Sequence, residues 1–146
     1  MRNRAFWLAP LVFSIACGSD GPSLTSPSNS IPNVTGNYSG TTSLSFPELG
    51  QNLSCATTTS VTQSGSTVSI APLQLGSPCS ISVPVGNATI DATGSLGSST
   101  MTDTESCGVY NMTGSGGFFG KDLRLSINAT SRTCYNFNMT VNLSRR

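Results

Sequence analysis

The chain has 146 residues, no histidine, one lysine and a formal net charge of +1, and only 9% of its residues are charged. Serine and threonine account for 43 residues, so uncharged polar groups supply most of the solubility. The absence of histidine excludes histidine-based catalytic triads and histidine-ligated metal sites, and seven basic residues are too few to neutralise a nucleic-acid backbone. We therefore expect a protein that is not an enzyme, with no cofactor and no nucleic-acid partner.

The beginning of the chain has the pattern of an export signal. Arg2 and Arg4 precede an uncharged apolar run over residues 5–16, which is too short to span a bilayer as a helix. Cys17 follows this run directly, after the small residue Ala16. We predict a signal peptide over residues 1–16.

The junction Ile15-Ala16-Cys17 resembles the cleavage site of bacterial lipoprotein precursors. The resemblance implies that Cys17 is lipidated and that the protein is anchored in the bacterial cell envelope, in the outer membrane if the host is Gram-negative. The domain would then lie in the periplasm or on the cell surface. An ordinary secretory signal with an unmodified Cys17 is the alternative. Several acyl chains on one residue give stable anchoring, whereas a single chain binds only weakly.

Residues 17–32 predict a flexible tether, because they are rich in Ser, Pro and Gly and have no hydrophobic period. From residue 33 to residue 146 the apolar residues recur with a period of two, which is typical of half-buried strands. The predicted strands cover residues 34–46, 53–61, 66–75, 80–85, 87–93, 98–105, 108–113, 123–130 and 135–144. Residues 114–121 predict a glycine-rich loop that carries Phe118 and Phe119.

This spacing leaves no room for crossover helices and predicts an all-β domain, a small antiparallel up-and-down β-barrel of about eight strands, with a β-sandwich as the alternative. Each strand should lie beside the next, closure should remove the free edges, and the domain should be a monomer. Gly36-x-Tyr38-x-Gly40 and the tight turn at residues 63–66 resemble the first hairpins of small calycin-like barrels, lipocalin-like or avidin-like. Members of that family usually carry a tryptophan near the first strand, whereas Trp7 lies in the predicted signal peptide.

Four cysteines remain for disulfide bonds once Cys17 is set aside, and they allow three pairings. A turn near residues 120–121 places residues opposite each other when their numbers sum to about 241, which pairs Cys107 with Cys134. Cys55 and Cys79 flank the hairpin at residue 65 with a small offset. We therefore predict the pairs Cys55–Cys79 and Cys107–Cys134, in an oxidising compartment.

The predicted barrel interior suggests a binding role. The residues expected to line it are Tyr38, Leu44, Phe46, Tyr110, Ile127, Tyr135, Phe137 and Met139. Whether this interior is filled or open to a small apolar ligand is not decided by the sequence. If it is open, Tyr38, Tyr135 and Phe137 are the candidate ligand contacts, together with Phe118 and Phe119 on the mobile lip of the barrel mouth. A surface adhesion or interaction module that binds glycans or a partner protein is the alternative function.

Asp103 and Glu105 are the weakest candidate site. On a strand they share one face about 7 Å apart, a separation that suits a calcium ion or a glycosidase pair. The simpler interpretation is an edge strand whose charges discourage further pairing, so no metal is expected. Asn-x-Ser/Thr recurs eight times, which indicates either glycosylation or alternating polar strands. The lipidation signal favours the second explanation.

Overall fold

The computed structural model describes residues 30–146, which contain ten strands and one short 3-10 helix. In chain order the elements are β1 (Gly36–Phe46), η1 (Pro47–Leu49), β2 (Gln51–Ser64), β3 (Thr67–Ile70), β4 (Leu73–Leu75), β5 (Ile81–Val83), β6 (Gly86–Thr89), β7 (Ser95–Glu105), β8 (Gly108–Phe119), β9 (Asp122–Ser131) and β10 (Phe137–Arg145). No helix within residues 30–146 is long and apolar enough to cross a membrane. The predicted signal peptide, Cys17 and most of the predicted tether lie outside the described residues.

The strands form a strongly curled antiparallel sheet. Eight of them follow the order β5-β4-β2-β1-β10-β9-β8-β7, while β3 pairs with β2 and with β6. The first long strand pairs with the last, with Tyr38 opposite Arg145 and Leu44 opposite Met139, so the sheet curls back as a half-barrel. The predicted all-β, antiparallel, barrel-like fold is confirmed.

The two ends of the half-barrel differ. At the terminal end β1 begins at Gly36 and β10 ends at Arg145, and at the disulfide end β1 ends at Phe46 and β10 begins at Phe137. The prediction that the sheet closes completely is wrong. Near the terminal end one isolated bridge joins Ile90, which directly follows β6, to Leu96 of β7, whereas at the disulfide end β5 and β7 are both edges of the sheet.

The alternating sequence pattern corresponds to an apolar inner face and a polar outer face. On β9 the buried residues are Leu123, Leu125, Ile127 and Ala129, and on β10 they are Phe137, Met139, Val141 and Leu143. The asparagines of all eight Asn-x-Ser/Thr sequences are exposed; they are Asn33, Asn37, Asn52, Asn87, Asn111, Asn128, Asn138 and Asn142. Strands with one polar face therefore account for this repeated sequence by geometry alone.

Buried hydroxyl groups on the inner face find partners within the fold. The Tyr38 hydroxyl donates to the Val34 carbonyl oxygen at 2.8 Å, and the Thr57 hydroxyl donates to the Thr42 hydroxyl at 2.9 Å. Thr59 donates to the Ala71 carbonyl oxygen at 2.7 Å, just before Pro72. Because proline cannot donate to a sheet, the predicted strand over residues 66–75 is divided into β3 and β4.

The prediction of a glycine-rich loop at residues 114–121 is wrong, because β8 continues through this stretch to Phe119. The glycines here allow close strand approach. A Cβ atom on Gly116 would lie 2.1 Å from the Arg124 carbonyl oxygen, and one on Gly117 would lie 2.7 Å from the Gly94 carbonyl oxygen. Residues 120–121 alone form the turn, so no mobile lip carries the two phenylalanines.

Candidate functional site

A cleft of about 240 Å³ lies at the disulfide end, between the unpaired edges β5 and β7. Ile81, Ser82 and Val83 of β5 line one side, and Asp103 and Glu105 of β7 line the other. The cleft exists because the sheet stops at both strands, which leaves the inner face of the half-barrel accessible between them. We call this site the seam cleft.

The two disulfide bonds hold the segments that lead to these edges. Cys55 on β2 pairs with Cys79, two residues before β5, with a Cα–Cα distance of 5.9 Å. Cys107, in the turn between β7 and β8, pairs with Cys134, with a Cα–Cα distance of 5.5 Å. Both predicted pairings are confirmed. The second bond continues the register of the β8–β9 hairpin, in which Phe119 lies opposite Asp122.

Aromatic rings and aliphatic side chains form the floor of the seam cleft. The Phe137 ring lies 5.9 Å from that of Phe46 and 5.3 Å from that of Tyr110, measured between ring centroids. Leu44 and Met112, both almost fully buried, complete this floor. Such a surface offers dispersion contacts and π faces to an apolar guest.

The Tyr110 hydroxyl is fixed and neutral at physiological pH. It donates a hydrogen bond to the Tyr135 carbonyl oxygen at 3.0 Å. Burial raises the pKa of Tyr110, and the nearby carboxylates of Glu105 and Glu48 raise it further. The tyrosine ring therefore lines the seam cleft while its hydroxyl is hydrogen-bonded to the main chain.

Carboxylates surround this end of the barrel. Asp103 lies opposite Tyr110 in the β7–β8 ladder, and Glu105 lies opposite Gly108. Glu48, in η1, accepts two hydrogen bonds from Asn136, one from the side-chain amide at 2.6 Å and one from the main-chain N–H at 3.1 Å. The described residues contain no group of three or more His, Cys, Asp or Glu side chains that could hold a metal ion.

The five predicted ligand contacts do not form one site. Tyr38 and Phe118 pack edge to face in the filled core, with ring centroids 5.7 Å apart. Phe119 is 52% exposed, with the Arg124 guanidinium 5.6 Å above its ring. Tyr135 was predicted to line the interior but is 57% exposed, because β10 begins only at Phe137. Of the five, Phe137 alone lines the seam cleft.

Sequence reasoning missed the β5 wall. Residues 80–85 were predicted as a strand, but nothing in their pattern shows that β5 pairs with β4 and ends the sheet there. Ile81 is 44% exposed in the structure, and this exposure, which the sequence does not show, marks the cleft wall. A second gap, of about 20 Å³, has Ala88 and Met101 among its lining residues and is large enough for one water molecule.

A shallow groove on the outer face is lined by Arg146, Gln74, Ser39 and Thr58, among others. Its volume is about 530 Å³, and it opens broadly to solvent. Hydroxyls, an amide and a guanidinium are the groups that bind polar ligands such as glycans. If the protein is an interaction module, this groove is the candidate surface for binding a glycan or a partner protein.

Comparison with known proteins adds no further constraint. No family model matches the chain, and no curated protein or solved structure is significantly similar to it.

Proposed function

We propose that the protein is a non-catalytic lipoprotein of the bacterial cell envelope, which binds a small apolar ligand in the seam cleft. One observation supports the binding role above the others. The core is filled around Tyr38 and Phe118, whereas the Phe46, Tyr110 and Phe137 rings border an accessible space of about 240 Å³. A cavity of about 150 Å³ holds benzene, so this space suits one aromatic ring with a short substituent.

The proposed pocket is also held in shape. The disulfide bonds at Cys79 and Cys107 restrain the segments next to β5 and β7. Little conformational entropy of these segments should therefore be lost when a ligand binds. The cleft walls include the carboxyl-bearing residues Asp103 and Glu105, which can orient a ligand at the rim. A few polar groups around an apolar floor are typical of small-molecule sites.

The binding role is tested with the ¹⁵N-labelled full chain, expressed with export to an oxidising compartment so that both disulfide bonds form. The chain is titrated with 2-phenylethanol and its amide resonances are followed. We expect shifts at β5, at Asp103 and around Phe137. The variant Ile81→Trp, which enlarges a side chain at the cleft, should weaken binding at least fivefold. Val109→Trp is the matched control, because Val109 is 49% exposed and does not line the cleft.

Two outcomes would refute the binding role. One is the absence of saturable shifts at the cleft in the unaltered chain, and the other is equal binding by Ile81→Trp and Val109→Trp. Shifts confined to the outer groove near Arg146 and Gln74 would support the second candidate function, an interaction module for glycans or a partner protein. That candidate predicts binding that survives changes in the cleft and fails in Arg146→Gln.

The membrane anchor is tested separately, because it depends on Cys17 alone. We expect the bacterially expressed chain to fractionate with membranes and to carry the mass of a lipidated cysteine at its amino terminus. Cys17→Ser should move the protein to the soluble fraction or leave it with an uncleaved signal peptide and no lipid. A processed Cys17→Ser protein that still fractionates with membranes refutes the lipid anchor.

A further inference from the structure

The charged residues of the described chain are divided between the two ends of the half-barrel. Five acidic and five basic residues lie within residues 30–146. Four of the basic residues are on or beside the strand ends of the terminal end: Lys121, Arg124, Arg145 and Arg146. The acidic residues of the disulfide end are Glu48, Asp103 and Glu105, and Arg132 is the basic residue of the described chain at that end. The disulfide end thus has a formal charge of about −2.

This negative charge borders the seam cleft. Asp103 and Glu105 line it directly, whereas no lysine or arginine of the described chain does. Within residues 30–146 the ion pair formed is between Arg124 and Asp122, at 3.6 Å, near the terminal end. The carboxylates at the cleft are therefore without a cationic partner from the described residues.

The carboxylates lie next to the aromatic rings that border the seam cleft. Asp103 is directly opposite Tyr110 in the ladder, and the Tyr110 ring packs on Phe137. Aromatic faces attract cations through the ring quadrupole, most strongly when the cation is an ammonium group on an apolar body. Carboxylates at the rim add a Coulomb attraction of the same sign. Both features favour a positive guest over a neutral or a negative one.

We propose that the ligand of the seam cleft is a small organic cation, an amine or a quaternary ammonium group carried on an aromatic or branched apolar body. The inference rests on the proposed function, since it assumes that the cleft is the ligand site. The apolar body would occupy the floor formed by Phe46, Met112 and Phe137, and the cationic group would face Asp103 and Glu105. A bare calcium ion fits poorly, because calcium takes six to eight oxygen ligands and the floor is hydrocarbon.

Three probes of similar size and different charge test the inference: 2-phenylethylammonium, 2-phenylethanol and phenylacetate. Dissociation constants come from amide-resonance titrations of the oxidised full chain at low ionic strength and pH 7. We expect the amine to bind about three- to tenfold more tightly than the alcohol, as one half-buried and one exposed carboxylate allow, and phenylacetate to bind most weakly. At about 0.5 M salt the preference should shrink to about twofold or less, because salt screens exposed charges.

Matched variants connect the preference to the named carboxylates. In the double variant Asp103→Asn and Glu105→Gln, which keeps the shape of both side chains, the amine should bind no more tightly than the alcohol. Asp122→Asn removes a carboxylate at the terminal end and should leave the ratio unchanged. Thermal unfolding of each variant shows whether the fold is retained.

The outcomes separate this inference from the proposed function. If 2-phenylethanol shifts cleft resonances and the amine binds no more tightly, the charge preference is refuted and the apolar site stands. If the preference persists in the Asp103→Asn and Glu105→Gln variant, the assignment to these carboxylates is refuted. If none of the three probes shifts a cleft resonance, both the inference and the proposed binding role fail.

Discussion

Gly40→Ala is the substitution whose cost the structure defines most clearly. Gly40 lies in the middle of β1, paired with Thr57 of β2 on one side and Leu143 of β10 on the other. A Cβ atom at Gly40 would lie 2.3 Å from the Asn142 carbonyl oxygen and 3.0 Å from the Leu143 Cα. Carbon–oxygen contacts between strands are ordinarily about 3.3 Å or longer, so β1 and β10 would have to separate by about 1 Å.

The magnitude follows from three contributions. Overpacking costs about 1–3 kcal/mol, and the weakening of one or two ladder hydrogen bonds costs about 1 kcal/mol each. Alanine also lowers the conformational entropy of the unfolded chain relative to glycine, which offsets about 0.5 kcal/mol of this loss. We therefore expect Gly40→Ala to lower the free energy of unfolding by about 1.5–4.5 kcal/mol, the sum of these terms. Because β1 is paired on both sides, it cannot relax away from β10 without disturbing β2.

Gly114→Ala is the matched control. It is also a strand glycine, but a Cβ atom there would meet its nearest neighbour, the Ser99 hydroxyl oxygen, at 3.6 Å, an ordinary contact distance. We expect its free energy of unfolding to stay within about 0.5 kcal/mol of the unaltered chain, with the unfolded-state entropy in its favour. Urea unfolding of the oxidised protein, followed by far-UV circular dichroism, measures both. Equal stability of the two variants would refute the close approach of β1 and β10.

Three further predictions concern the core and the disulfide end. Replacing Cys107 and Cys134 together by serine should lower the free energy of unfolding in urea by about 3.5 kcal/mol, since the bond closes a 27-residue separation; a loss below about 1 kcal/mol would contradict this. Tyr38→Phe removes a buried hydroxyl that bonds to a carbonyl at 2.8 Å and should cost about 1–2 kcal/mol at pH 7. Burial raises the pKa of Tyr38 in the folded state, so the stability it provides below the unfolded value of 10.0 is lost as the pH rises through the folded-state pKa. The phenylalanine variant should therefore lose less stability than the parent between pH 9 and 12, and equal losses would argue against burial as the cause. Phe118→Ala should cost about 3–5 kcal/mol and Phe119→Ala less than about 1 kcal/mol, measured by the same unfolding assay; similar costs would contradict their different burial.

The seam cleft was only partly predictable. The inward orientation of Tyr110 and Phe137 follows from the period of two, and the Cys107–Cys134 bond follows from the register of a two-residue turn. The prediction that Tyr135 faces inward was wrong. The alternating pattern in the sequence already begins at Tyr135, whereas β10 begins only at Phe137. The glycines before Phe118 were interpreted as flexibility, whereas they allow neighbouring strands to approach closely.

The sequence alone determined the local properties of this protein. Alternation of apolar and polar residues requires strands with one buried face, and four cysteines at fixed positions within or between those strands restrict the disulfide pairing. The tertiary structure decided which strands are neighbours. The pairing of β1 with β10 and the failure of β5 to meet β7 depend on contacts between residues far apart in the chain, which no local pattern encodes. The cleft arises from that missing pairing, so it appears only when the whole sheet has curled.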